Sequence, residues 1–327
     1  MFADEIRPTE SAPVDATPFR ILTVTATARV QRALSVLWRE YQVIACADPA
    51  AALELARQRD VDAVLCDQRV APVIGVDLLR DIRQAHPRAL RLLLSDRPDA
   101  RTLLDAVNEV EVFRFIAQPW NPEALREAAG AAVRAARLAP PLLGVPLSDE
   151  EAEVVRRSMA VVVIESDSAA QQRLRDLLQG HYKVHFANSL DRALQFMEQH
   201  ETGVLMCSTA SGRGELVAAL KVIKQAHPHL ASIAMDALTD LDRAIELVNE
   251  AQVFRLLRRP FNPALCRPFV DAALARYWHI KQQPQAAWRV LPAEPVSAEH
   301  APLQLSLALL NRIRGLPGRL HESEVRT

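Results

Sequence analysis

Short apolar runs rich in β-branched residues alternate along this chain with longer stretches whose apolar positions recur at helical spacing. The alternation predicts strand–helix units, and the near-continuous apolar character of the short runs predicts strands covered on both faces, as in a parallel sheet. Strands are expected at Arg20–Val24, Gln42–Cys46, Asp62–Cys66, Leu90–Leu94 and Val112–Ile116, with helices between them. The last helix should begin at Asn121-Pro122, where asparagine supplies an N-cap and proline suits the first helical position.

The whole pattern then returns. Gln84-Ala85-His86-Pro87 recurs as Gln225-Ala226-His227-Pro228, and Val107-Asn108-Glu109 recurs as Val248-Asn249-Glu250, at a shift of 141 residues with no gap. Val112-Phe113-Arg114 likewise becomes Val253-Phe254-Arg255, while Arg32, Tyr41 and Cys66 return as Arg173, Tyr182 and Cys207. A solenoid repeats every ~20 to 50 residues, so a period this long means a duplicated domain. Residues 19–138 and 159–282 are expected to be the two copies.

The flanking segments read differently. Residues 1–18 are polar, acidic and proline-bearing, and are expected to be disordered. Residues 139–158 form the linker: Ala139-Pro140-Pro141 stops the first copy, and Ser148 with Glu151 has the spacing of a capping box for a short helix. Pro268 falls inside the last helix of the second copy, where it should kink or delay it. In the tail, residues 283–327, a helix over 302–314 would place Leu303, Leu307 and Leu310 on one face, either docked on its own domain or open to a partner.

Charge narrows the function. Lys and Arg total 39 against 40 Asp and Glu, a formal net charge of -1, which provides no field for nucleic acid or an anionic membrane. Apolar runs such as Met159–Ile164 are too short to span a bilayer, and the start lacks a signal-peptide pattern, so a soluble cytoplasmic protein is expected. Cys46, Cys66, Cys207 and Cys266 have no C-x-x-C spacing and read as small core residues, with no zinc site and no disulfide.

In an open parallel sheet, ligands sit outside the carboxyl ends of the strands. The residues there are Thr25, Ala26, Asp67, Ser95 and Gln118 in the first copy. The shift of 141 gives Ser166, Asp167, Ser208, Asp236 and Arg259 in the second.

Three segments around these positions carry a resemblance. Leu65-Cys66-Asp67-Gln68-Arg69, Leu92-Leu93-Leu94-Ser95 and Phe113-Arg114-Phe115-Ile116-Ala117-Gln118-Pro119-Trp120 resemble the receiver domain of bacterial two-component response regulators. They match its phosphoacceptor strand, its Ser/Thr strand and its fifth strand, with Gln-Pro in place of Lys-Pro. The wording is close to receivers fused to hydrogenase regulators and cyclic-dinucleotide phosphodiesterases, although neither output domain is expected here. The resemblance implies two flavodoxin-like α/β domains, each a five-stranded parallel sheet of order 2-1-3-4-5 with helices on both faces. It also implies cis peptides at Gln118-Pro119 and Arg259-Pro260.

The family's chemistry uses an acid pair to hold magnesium, an acceptor aspartate, a hydroxyl and a lysine. In the first copy Asp67 is the phosphoacceptor equivalent, but Thr25 and Ala26 supply no carboxylate and Gln118 no cation. In the second copy Ser208 stands at the acceptor position and cannot form an acyl phosphate. The switch pair Ser95 and Phe115 has become Asp236 and Leu256. Asp167 and Asp236 are expected to pair with Arg259 and fill the empty pocket. No metal or other cofactor is expected, with magnesium bound only if Asp67 is active.

The chain is therefore expected to be a non-catalytic tandem pseudo-receiver in two-component phosphorelay signalling, a phosphorylation-independent adaptor. Its partners would be a histidine kinase, a response regulator or a second copy, the last as a homodimer through helix 4, strand 5 and helix 5. Trp120 and Phe261 either pack the last helix or anchor a partner. One alternative is a response regulator phosphorylated at Asp67. Another is a small-ligand or anion sensor using Arg258 and Arg259 in the second pocket, opposed there by Glu165, Asp167 and Asp236.

Overall fold

A computed structural model describes residues 18–141, 147–210, 215–290 and 307–317. In chain order the first half carries β1 (Arg20–Val24), α1 (Ala28–Leu34), β2 (Gln42–Cys46), α2 (Pro49–Gln58), β3 (Ala63–Asp67), a hairpin of β4 (Arg69–Val70) and β5 (Val73–Ile74), and α3 (Gly75–Ala85). It continues with β6 (Leu90–Ser95), α4 (Ala100–Asp105), which runs on as a π-helical turn to Val110, then β7 (Arg114–Ala117) and α5 (Pro122–Leu138). After the linker helix α6 (Asp149–Ser158) come β8 (Ala160–Ile164), α7 (Ser168–Leu178), β9 (Lys183–Ala187), α8 (Leu190–Gln199) and β10 (Thr202–Ser208). The remainder is α9 (Glu215–Ala226), β11 (Ala231–Asp236), α10 (Leu241–Asn249), β12 (Arg255–Arg258), α11 (Pro263–Gln282) and α12 (Leu307–Arg314).

The strands form two parallel five-stranded sheets, β2-β1-β3-β6-β7 and β9-β8-β10-β11-β12. Both have the 2-1-3-4-5 order of the flavodoxin-like receiver fold. Successive strand residues point to opposite faces, and both faces are buried. Leu22, Val64, Leu93 and Phe115 pack with Ala52, Leu79, Ile82 and Leu103 of the helices on one side; Ile21, Leu65, Leu92 and Leu94 pack with Val30, Leu34, Leu125 and Ala129 on the other. The first of these cores does not stop at the first sheet. It continues into Val162, Leu205, Leu247 and Leu256 of the second half.

Strand register corrects the gap-free repeat. Arg20 of β1 lies beside Gln42, whereas Ala160 of β8 lies beside Lys183. The repeat shift is 141 from β2 onward but 140 in the first strand, so Thr25 corresponds to Glu165 and Thr27 to Asp167. Backbone bonds agree: the Thr25 amide donates to the Cys46 carbonyl at 3.1 Å, and the Glu165 amide to that of Ala187 at 2.9 Å. The extra residue of the second half lies between α7 and β9, where Gly180 adopts φ of 85°, a conformation that a residue without Cβ takes at little cost. In the first half a 3-10 helix, Ser35–Arg39, covers the same stretch.

Most local signals act as expected. Asn121 and Asn262 accept from the amides of Glu123 and Ala264. Ser148 and Glu151 form the full capping box. Gln118-Pro119 and Arg259-Pro260 are cis, as is Ala71-Pro72. Pro268 does not interrupt its helix: α11 runs through it to Gln282, because Cys266, Val270, Ala273, Leu274 and Tyr277 bury one face and hold both sides in line. The tail helix is described from Leu307 to Arg314, and Leu303 lies outside the described residues. Leu309, Leu310 and Ile313 are buried on α8 and α9, and Arg312 pairs with Asp191 and Glu198, so the helix docks on its own half.

Candidate functional site

Asp67 ends β3, buried at the carboxyl edge of the first sheet. Its Oδ2 accepts from the Thr25 hydroxyl at 3.1 Å and from the Thr27 hydroxyl at 3.3 Å, and its Oδ1 accepts from the Arg69 amide at 3.3 Å. Neutral donors therefore occupy the carboxylate from the β1 side. Gly75 explains why the loop after Asp67 can return so closely: a Cβ there would lie 2.1 Å from the Asp67 carbonyl oxygen. Ala26 is exposed and offers no ligand.

Ser95 is fully buried but turned elsewhere. Its hydroxyl donates to the Gln68 side chain, whose Nε2 donates to Asp99 and Thr102 at 3.0 Å each, tying the end of β6 to the start of α4. Gln118 meets Ser95 through its backbone, its amide donating to the Ser95 carbonyl at 3.0 Å. Its side chain makes no hydrogen bond to Asp67. Thr27, Gln68 and Gly75 had no sequence signal beyond their neighbourhood to Asp67.

In the second half a cation fills the corresponding space. Arg259 Nη1 donates to Glu165 Oε2 at 2.8 Å and to the Ser208 hydroxyl at 2.5 Å. Glu165 is almost wholly buried. Of the expected partners of Arg259, Asp167 remains only as a long, half-exposed pair and Asp236 is not a side-chain partner. Asp167 caps α7, accepting from Ala169 at 2.9 Å and Ala170 at 3.3 Å, and its carboxylate lies 4.0 Å from Arg259. Asp236 turns to the Thr209 hydroxyl and to the Leu238 amide at 2.5 Å; Arg259 touches it only through a backbone bond to its carbonyl. The one-residue shift in β1 hid Glu165 from the repeat alignment, which placed Ser166 at the acid-pair position instead.

Neither pocket suits the magnesium of an active receiver. The first offers one carboxylate already engaged by hydroxyls, and the second holds a guanidinium between its carboxylate and its serine. No group of three or more His, Cys, Asp or Glu among the described residues is placed to hold a metal.

The switch positions Phe115 and Leu256 lie on β7 and β12, the outer strands of the two sheets. An outer strand presents backbone donors and acceptors without a neighbouring strand. Here the other half supplies them. Asn249 accepts from the Phe115 amide at 2.9 Å and donates to its carbonyl at 2.8 Å. Asn108 does the same for Leu256, at 2.9 and 2.8 Å. The two halves thus meet through α4 and β7 of one and α10 and β12 of the other, and Phe115 and Leu256 are buried there. Within the chain, the backbone groups of Phe115 and Leu256 on the fifth-strand edges that the expected homodimer would use are thus already paired. Trp120 and Phe261 pack against the cores of their own halves.

Residues 22–130 match the family model described as response regulator receiver domain. That stretch is similar to a receiver domain. It is similar to hydrogenase transcriptional regulatory protein HoxA of Cupriavidus necator, 31% identical over 116 residues, covering 35% of this chain and 24% of that protein. The HoxA protein of Bradyrhizobium diazoefficiens is 32% identical over 119 residues, covering 36% of this chain and 24% of the relative. The chain thus spans about a quarter of the length of the curated relatives it matches. Among solved structures, the receiver domain of an HD domain-containing protein from Pseudomonas fluorescens Pf-5 is 30% identical, covering 37% of this chain and 98% of that one, with a TM-score of 0.35. No helix among the described residues is long and apolar enough to cross a membrane.

Proposed function

We propose that this chain is a non-catalytic tandem pseudo-receiver, with residues 19–138 and 159–282 as its units, that serves two-component signalling as a phosphorylation-independent adaptor. The observation that carries the reading is the reciprocal pairing of Asn108 with Leu256 and Asn249 with Phe115. In the family that the first half resembles, the aromatic on the fifth strand couples phosphorylation to the outer face. Here that strand is bound to its own duplicate, so the face is held in one state. The site chemistry supports the same reading: Asp67 has no lysine beside it, and Ser208 is covered by Arg259. A histidine kinase or a response regulator would then dock on surfaces other than the α4–β7 and α10–β12 faces.

The test is intact mass after incubation with acetyl phosphate and magnesium, together with a kinase-independent measure of partner binding. The expected result is no added phosphoryl group. A stable gain of one, absent in Asp67→Asn, would replace this reading by that of a response regulator phosphorylated at Asp67.

A further inference from the structure

Along the seam between the halves the internal symmetry breaks, and charge accumulates on one side. Glu111 and Gln252 occupy equivalent left-handed turns, with φ of 53° and 49°, directly before β7 and β12. Around Glu111 stand Arg255 Nη2 at 2.8 Å, Arg83 Nη2 at 3.0 Å and Arg276 Nη1 at 3.6 Å. Around Gln252 the described residues form no such cluster. Lys224, the counterpart of Arg83, is turned inward to the carbonyls of Pro228 and Leu230, and Ala135 and Ser232 stand where Arg276 and Arg91 have their counterparts.

The charged side opens into a cleft of about 410 Å³, in the size range of small-ligand sites. Arg80, Arg83, Arg91, Arg276 and Arg289 line it, with Glu109 and Glu111. Arg91 and Arg289 are more than nine-tenths buried and bond only to backbone carbonyls: Arg91 to Ala89, Val110 and Glu111, Arg289 to Ala139 and Arg88. Arg276 lies over the Phe254 ring, and its Nε is buried without a partner. Among the described residues, these five guanidiniums and that of Arg255 are answered by Asp77, Glu109 and Glu111. Burial pushes the Arg91 guanidinium down to about 9, with Arg83, Arg289 and Arg276 adding to the effect against Glu111, and it stays cationic at neutral pH.

Burying cations without matching anions is costly, and guanidiniums present paired N–H donors that fit phosphate oxygens. We propose that this cleft binds a small ligand bearing a polyphosphate group, held by Arg83, Arg91, Arg276 and Arg289. A monatomic ion would leave most of the space unfilled. Leu90, Val107, Val112, Val248 and Val253 form an apolar wall on which the rest of such a ligand can rest. Because Arg83 and Arg91 belong to the first half and Arg276 to the second, the ligand would bridge them.

Titration calorimetry of the full chain with inorganic tripolyphosphate, inorganic pyrophosphate and ADP, at constant ionic strength and with sulfate as control, tests the proposal. Saturable binding of tripolyphosphate is expected, weakened by about tenfold or more in Arg276→Gln and strengthened in Glu111→Gln, which removes the competing carboxylate. ADP binding more tightly than inorganic pyrophosphate identifies a nucleotide as the source; equal affinity identifies the phosphate chain alone. Should Arg276→Gln fail to fold, protection of Arg91, Arg276 and Arg289 from phenylglyoxal by tripolyphosphate in the parent gives the same answer. No saturable binding at about 1 mM probe, equal affinity in folded Arg276→Gln, or no protection overturns it.

Discussion

Asn108 and Asn249 are the same residue of a duplicated unit, and each uses its side-chain amide to complete the outer strand of the other unit. Asn108 pairs with both backbone groups of Leu256, and Asn249 with both of Phe115. A strand edge that would otherwise be open is closed twice by one device. The continuous apolar core beneath, from Val107 and Phe115 to Leu247 and Leu256, makes the pairing part of the fold.

Replacing either asparagine should therefore loosen the opposite half. Asn249→Ala leaves the Phe115 amide and carbonyl without partners, at a cost of about 1–3 kcal/mol. The measurement is denaturant unfolding with amide hydrogen exchange. Exchange should accelerate at Phe115 in Asn249→Ala and at Leu256 in Asn108→Ala, and a crossed or uniform response would count against the reciprocal pairing.

Arg259→Ala should destabilise the second half by about 3 kcal/mol, because it leaves Glu165 buried and unpaired. The double variant Glu165→Gln with Arg259→Gln should recover part of that loss. Asp167→Asn keeps its cap on α7 and gives up only a half-exposed pair at 4.0 Å, so a melt close to the parent's is expected. Thermal melts of the three variants separate Glu165 from Asp167 as the partner.

Stability should fall in mild acid through His229. Burial pushes its imidazole down to about 2, with His227, Lys281 and Lys224 adding to the effect, and its Nδ1 is buried without a partner. The folded value lies below the unfolded one near 6.5, so the neutral ring's contribution is complete above that pH. It is lost at about 1.4 kcal/mol per unit as pH drops below it. Urea unfolding at pH 7.5 and 5.5, compared with His229→Gln, should show a flatter profile in the variant. Glu111 acts in the same direction at lower pH: burial opposes ionisation, but Arg255, Arg276 and Arg83 bring its carboxyl down to about 2, so its contribution is lost only below the ordinary carboxylate range.

Restoring the acid pair and the cation by Thr25→Asp, Ala26→Asp and Gln118→Lys together should create magnesium binding at Asp67. Thr25 already lies 3.1 Å from that carboxylate, so an aspartate there brings a second ligand to the same point. Calorimetry with magnesium is the check, and an unresponsive triple variant would mean that the β1 edge of the pocket has closed.

The sequence makes two α/β units and the first-half strand limits, to within two residues, legible through local periodicity and capping that residues such as Asn121, Pro122 and Ser148 state directly, whereas the strand order came only with the resemblance to receivers. It also located Asp67, Ser208 and Arg259 at the carboxyl edges, since each stands at the end of a strand whose limits its own apolar run defines. The partner of Arg259 was beyond its reach: one residue added near Gly180 shifts β1 against the rest of the repeat, and only pairing in space shows that Glu165 takes the place of Thr25. The seam was beyond it too. Asn108 and Asn249 stood out as matched repeat residues, but a contact between positions 148 or 134 residues apart depends on how two sheets are brought together. That arrangement is decided by the shared apolar core and by the edge strands' need for partners, neither of which is a property of any local stretch of chain.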